Sequence, residues 1–257
     1  MKSPLDRGAF KTRIRTGEIT YGTFVGLASS VAVEIAAVGG MDWVLLDLEH
    51  GAGGEDQVGP TVLAAGAYGI TPLVRVESAE RIRIGRVLDA GVAGVMIPRI
   101  ETVEQVLEVV KHFSTPPYGD RGVATYNRGA RWGRDLEFLN APSKATCIIQ
   151  IETLGALEKV EEIASVEGVD ILFVGPADLS FALGVPRDFK NPKYLDALTK
   201  VVLACKNQGK QPGILAFDSA GAVEYRKLGF TFIAIGSDST LLATAFTKVL
   251  EEAKGEK

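Results

Sequence analysis

Cys147-Ile148-Ile149-Gln150-Ile151-Glu152-Thr153 and Ile171-Leu172-Phe173-Val174-Gly175-Pro176-Ala177-Asp178 are two short runs, each apolar enough to be buried on both faces and each ending in a carboxylate. Strands buried on both faces belong to parallel sheets covered by helices. Each acid falls where a loop to a helix should begin, and in a β/α barrel that end is the face on which active sites form. Gln150 and Glu152 are two residues apart, so both point to the same side of their strand. Two carboxylates about one strand apart can hold a hard divalent cation while leaving positions open for water and a small molecule. The pair points to a metal-assisted enzyme rather than a binding module.

Outward from these runs the chain alternates between β-rich segments and segments of helical period, which predicts a parallel sheet. The spacing predicts a preliminary helix over 5–16, with Leu5, Phe10 and Ile14 on one side. Strands are expected at 21–27, 43–50, 72–76, 93–99, 146–151, 170–175, 212–217 and 230–236. Helices are expected at 31–38 (capped by Ser29 or Ser30), 55–68, 79–90, 102–112, 154–165, within 178–209, at 219–227 and at 238–253. Eight strands in 257 residues match one (β/α)8 barrel spanning 1–257 better than an open doubly wound sheet. The stretch 113–141 breaks the rhythm. Its length, with Tyr118, Trp132 and arginines 121, 128, 131 and 134, predicts a packed active-site or subunit-contact loop.

Composition removes several classes. A formal charge of −4 argues against a nucleic-acid footprint. No apolar run approaches the length that spans a bilayer, and Met1–Arg7 leads into no signal-peptide core. Cys147 and Cys205 are far apart in apolar segments, as expected of reduced buried thiols in a cytoplasmic protein. The absence of cysteine clusters or several histidines disfavours a zinc site of the protease type.

Other residues carry candidate chemistry. His50 ends the run Asp47-Leu48-Glu49-His50-Gly51, which gives either a general acid or base or a partly exposed loop histidine. His112, near a helix end, reads as a surface residue. Arg75 sits in an apolar strand and needs a partner, because an unpaired buried charge is costly. It is either a structural ion pair or a cation aimed at an anionic substrate or enolate. Asp47 could be its partner, or could accept from a water on the metal. Asp89, at a predicted helix end, reads as a solvated residue. Asp178 could be an N-cap as well as a ligand. Gly236-Ser237-Asp238 gives a weak hint of a barrel phosphate site.

Five segments together resemble the HpcH/HpaI aldolase family: Asp42–Gly51, Pro116–Gly122, Arg131-Trp132-Gly133, Ile149-Gln150-Ile151-Glu152 and Val174–Ser180. The resemblance spans about residues 5 to 253 and is closest to its class II pyruvate aldolases. It implies a (β/α)8 barrel, retro-aldol cleavage to pyruvate and an aldehyde, and a divalent metal (Mg²⁺, Mn²⁺ or Co²⁺) on Glu152 and Asp178. It implies His50 as general base with Asp89 raising its basicity, Asp47 beside it, and Arg75 stabilising the enolate oxygen. Gln150, Asp178 and the backbone of Ala177 would hold the pyruvate unit. It also implies a homo-hexamer, a dimer of trimers with the last helix exchanged between subunits. No Schiff-base lysine is needed, and none of the predicted strands contains a lysine.

Arg99 and the stretch Ala124–Arg128 depart from the pattern and bear on the aldehyde side of the pocket. The competing enzyme readings are a lyase acting on CoA thioesters, or a decarboxylase sharing the enolate chemistry; a CoA enzyme should carry extra basic residues for the phosphates. The competing non-enzyme reading is a silent oligomeric barrel, which would have no use for the set Glu152, Asp178, His50 and Arg75.

Overall fold

The computed structural model describes residues 7–255, so Leu5 and the segment before Arg7 lie outside the described residues. Strands β1 (Thr20–Val25), β2 (Trp43–Asp47), β3 (Thr71–Arg75), β4 (Gly94–Ile97), β5 (Thr146–Ile151), β6 (Ile171–Val174), β7 (Gln211–Ala216) and β8 (Phe232–Ser237) pair in chain order. All pairs are parallel, and β8 returns to β1 to close a barrel. The expectation of a closed (β/α)8 barrel therefore holds. Around it run α1 (Arg7–Arg15), α2 (Ser30–Val38), α3 (Val58–Tyr68), α4 (Arg81–Ala90), α5 (Val103–Lys111), α6 (Leu154–Glu158), α7 (Val160–Ser165), α8 (Pro176–Ala182), α9 (Pro192–Gln208), α10 (Ser219–Leu228) and α11 (Asp238–Lys254). No helix among the described residues is long and apolar enough to cross a membrane.

Strand periodicity sorts the core into two clusters. Trp43, Leu45, Leu73, Met96, Ile148, Ile171, Phe173 and Phe232 fill the barrel's interior. Their neighbours Val44, Leu46, Val74, Val95, Ile149 and Leu172 pack outward against the helices. The interior is a packed floor rather than a pore: Trp43 and Phe232 stack with ring centroids 4.1 Å apart. Helix α1 closes the N-terminal end, burying Phe10 and Ile14 in the interior cluster, which contributes about 1.5–3 kcal/mol for each side chain. Polar clamps hold it there: Lys11 and Arg15 each pair with buried Asp170 at 2.9 Å, and Arg13 reaches Asp42 at 2.7 Å.

Several elements differ from their expected bounds. β2 stops at Asp47, because Asp47 Oδ1 accepts the amides of Glu49 (3.1 Å) and His50 (3.3 Å) and turns the chain. The helix expected over 154–165 divides at Lys159 (φ −95°, ψ 13°) into α6 and α7. Ser29, not Ser30, caps α2, accepting from the Ala32 amide. Both cysteines are buried and free. His112 is tied to Asp120 at 2.8 Å and mostly covered, rather than free at the surface.

The stretch 113–141 is packed, but it connects α5 to β5 and so lies at the N-terminal end of the barrel, away from the chain's own strand C-termini. Arg121 within it is buried and forms an ion pair with Asp89, while the Gly129 amide donates to the Asp89 carbonyl at 2.8 Å. Arg131 (φ 48°) and Trp132 (φ 56°) both adopt left-handed backbone, at a cost of about 1–2 kcal/mol per residue for non-glycine side chains. Trp132 and Tyr126 remain exposed.

Candidate active site at the C-terminal ends of the strands

The inward parity of each strand carries past the apolar floor into a polar layer. On β5, Ile148 belongs to the interior cluster, so Gln150 and Glu152 rise above it on the same side, both buried. Gln150 Nε2 donates to Glu152 Oε2, and the Arg99 amide donates to Glu152 Oε1 at 2.9 Å. Gly175, at the end of β6, faces this pair: a Cβ there would lie 2.5 Å from Glu152 Oε2 and 3.0 Å from Gln150 Nε2. Glycine at that position is what leaves room for the carboxylate.

Asp178 lies close enough to act electrostatically on Glu152. Burial raises the Glu152 carboxyl to about 7; the Arg99 amide opposes the rise, while Asp178 and Glu49 add to it. Asp178 is not an N-cap. Gly175 holds that position, and Asp178 is the third residue of α8, with its side chain half exposed. The amides of Ala177 and Asp178, in the first turn, have no intrahelical acceptors.

On the other side of the layer, Arg75 stands opposite Asp47 in the β2–β3 register. Its Nε and Nη2 donate to Asp47 Oδ1 (2.8 Å) and Oδ2 (2.6 Å). Its Nη1 lies 3.0 Å from Glu49 Oε2, and its guanidinium carbon lies 5.2 Å from the Phe24 ring centroid. Burial alone would raise the Asp47 carboxyl, but the hydrogen bonds and charge of Arg75, with the His50 and Glu49 amides, hold it below the ordinary carboxylate range. Asp47 is thus the clamp on Arg75. Glu49 was passed over in the sequence, although its i, i+2 spacing from Asp47 is the same signal that singled out Gln150 and Glu152. Its Oε2 is buried and makes no hydrogen bond, and His50 Nε2 stands 3.9 Å from it.

His50 is 69% exposed at the rim of this face. The structure brings together Asp47, Arg75, Gln150, Glu152, Ala177 and Asp178, with His50 at their edge. It does not bring Asp89 to them. Asp89 sits in the last turn of α4, at the opposite end of the barrel, paired with Arg121. The phosphate hint is also overturned: Asp238 accepts the Gly26 amide at 2.9 Å, and Ser237 caps α11 by accepting from the Thr240 amide, so the chain's own oxygens take those donors.

Among the described residues, no cluster of three or more His, Cys, Asp or Glu side chains could hold a metal. Glu152 and Asp178 provide two hard oxygen donors, and burial disfavours the uncompensated charge of Glu152. That donor set fits a Mg²⁺-like cation whose remaining positions belong to water and ligand, and not a closed structural zinc site.

Comparison with known proteins agrees with this geometry. The family model described as HpcH/HpaI aldolase/citrate lyase matches residues 20–245. A "Pyruvate aldolase" from Rhizobium etli is 38% identical over 235 residues, covering 91% of this chain and 92% of that one. A 4-hydroxy-2-oxo-heptane-1,7-dioate aldolase from Escherichia coli is 34% identical, covering 92% and 91%. The crystal structure of a HpcH/HpaI aldolase/citrate lyase family protein from Burkholderia cenocepacia superimposes with a TM-score of 0.92 at 35% identity, covering 96% and 99%. The barrel, the carboxylates that follow its fifth and sixth strands and these matches together place the chain in the HpcH/HpaI aldolase/citrate lyase family, as a carbon–carbon lyase.

Proposed function

We propose that this site cleaves a 4-hydroxy-2-oxo acid, reversibly, into pyruvate and an aldehyde, with Glu152 and Asp178 holding a divalent cation such as Mg²⁺, Mn²⁺ or Co²⁺. The observation that carries the reading is one layer holding the Glu152/Asp178 carboxylates beside an arginine fixed in place by Asp47. When bound, the cation supplies Lewis-acid polarisation of the 2-oxo acid. Gln150, Asp178 and the Ala177 amide hold the pyruvate unit. Arg75, already oriented, faces the oxygen on which negative charge develops, and so needs little reorganisation at the moment of reaction. His50, at the open rim, takes the proton from the C4 hydroxyl and returns it in condensation.

Asp89 cannot serve His50 of its own chain from the far end of the barrel, so the support it gives comes between copies. An assembly is supported by α11, which buries no residue and exposes Leu241, Leu242, Phe246, Val249 and Leu250 along one side. A homo-hexamer with this helix exchanged between subunits, in the cytoplasm, completes the reading. Phe246→Glu should then yield smaller species by analytical ultracentrifugation.

The deciding experiment is a screen of divalent metals and aldehydes with pyruvate as the nucleophile precursor. Metal-dependent aldol formation from free pyruvate supports the reading. Condensation that requires a CoA thioester instead would move the site to the lyases acting on CoA esters.

A further inference from the structure

We propose that Arg99 selects the acceptor: the aldehyde partner carries an anionic group, a carboxylate or a phosphate, which the Arg99 guanidinium binds. This inference rests on the aldolase reading and specifies its second substrate.

Arg99 follows β4 at the C-terminal end of the barrel, and its backbone is left-handed (φ 58°). Its amide is committed to Glu152 Oε1 at 2.9 Å, so the turn that presents this amide also fixes where the side chain leaves the backbone. Glycine would meet that backbone requirement without strain. An arginine at such a position points to use of the side chain. The side chain is 62% exposed, and among the described residues its nearest charge is Asp178 Oδ1 at 3.7 Å, beyond hydrogen-bonding range. Arg75, by contrast, is buried and bound by Asp47 and Glu49. Arg187, on the loop after α8, lies 5.7 Å over the Phe217 ring.

Charge and position define the ligand. A cation on Glu152 and Asp178 neutralises Asp178, the carboxylate nearest the Arg99 guanidinium among the described residues, and leaves that guanidinium in surplus. The pyruvate unit occupies the buried floor beside Gln150 and Glu152. The acceptor must approach from the solvent side, with its remote end directed out through the mouth. An exposed guanidinium beside the carboxylate pair meets that remote end, and its planar fork suits a carboxylate or phosphate.

The test compares matched acceptors with pyruvate and Mn²⁺: succinic semialdehyde against butanal, and glyceraldehyde 3-phosphate against glyceraldehyde. It reads the ratio of kcat/KM, charged over neutral, in the parent protein, R99A and R99K. The ratio should fall at least about tenfold in R99A for one pair, which identifies the anion, and recover in part in R99K. Calorimetry of Mn²⁺ binding separates this from misfolding: R99A should bind Mn²⁺ at least as tightly as the parent. A ratio within twofold of the parent's for both pairs overturns the role of Arg99 and leaves the aldolase reading standing. No metal-dependent condensation with any of the four aldehydes overturns both.

Discussion

Asp47 and Arg75, directly opposed on adjacent strands, meet through two parallel hydrogen bonds of 2.8 and 2.6 Å that fix the plane of the guanidinium. With both groups buried, the pair has no alternative partner in water, and losing one member would strand a charge. Arg75→Lys keeps the charge but not the fork, and an ammonium cannot occupy both Asp47 oxygens in the same way. Turnover should fall on the order of 100-fold, the scale of losing an oxyanion donor. Steady-state kinetics check it, with circular dichroism as the folding control. Near-normal turnover would make the pair purely structural.

Glu152 makes the metal-free protein's stability depend on pH. Its carboxyl titrates near 7 when folded and near the ordinary carboxylate value, about 4.3, when unfolded. Between these values the folded state holds a proton that the unfolded state has lost, so stability falls as pH rises through the window and levels off above it. The contribution is up to about 4 kcal/mol. Thermal melts in chelator should show this slope, and Glu152→Gln should flatten it. An unchanged slope in the variant would show that Glu152 is not its source.

Gly175→Ala should damage the site more than the fold. The added methyl would lie 2.5 Å from Glu152 Oε2 and must displace an oxygen that we propose holds the cation. Isothermal titration should show Mn²⁺ affinity reduced by about tenfold or more, on the scale seen when groups that orient a metal ligand are altered. Parent-like affinity would mean that the carboxylate moves aside without consequence.

His50→Ala should lower kcat by about 10²–10⁴-fold with a much smaller change in KM, because the groups proposed to hold the oxo acid are untouched. Loss of pyruvate affinity with cleavage retained would make His50 a binding residue.

Chelator-treated protein should be inactive, with Mg²⁺, Mn²⁺ or Co²⁺ restoring it. Full activity after rigorous metal removal, or a borohydride-trapped lysine adduct with pyruvate, would rule out the metal mechanism.

The barrel was legible because parallel strands must be apolar on both faces, and chain order follows directly from the β–α alternation. Parity placed Gln150 and Glu152 together from spacing alone. What the sequence hid was tertiary. Nothing local to Arg75 names Asp47 as its partner, and only the register does so. The turn of the chain after Asp47 depends on its side chain capturing two amides, which ends β2 three residues early and puts His50 on a turn. Asp89 was separable from the site by direction: a helix that follows a strand runs back to the opposite end, so its last turn cannot reach the strand's tip. Asp178 looked like a cap because acids cap helices; the cap is Gly175, three residues upstream, with proline at the first helical position.

The plug at the base of the barrel sets an order of events during synthesis. Arg15 and its partner Asp170 are separated by 155 positions, so the first helix leaves the ribosome long before the carboxylate that anchors it exists. At about 5–20 residues per second, Phe10 and Ile14 wait roughly 8–30 s before Asp170 is made. Through that interval the nascent chain carries an amphipathic, positively charged segment whose two apolar anchors have nothing to pack against.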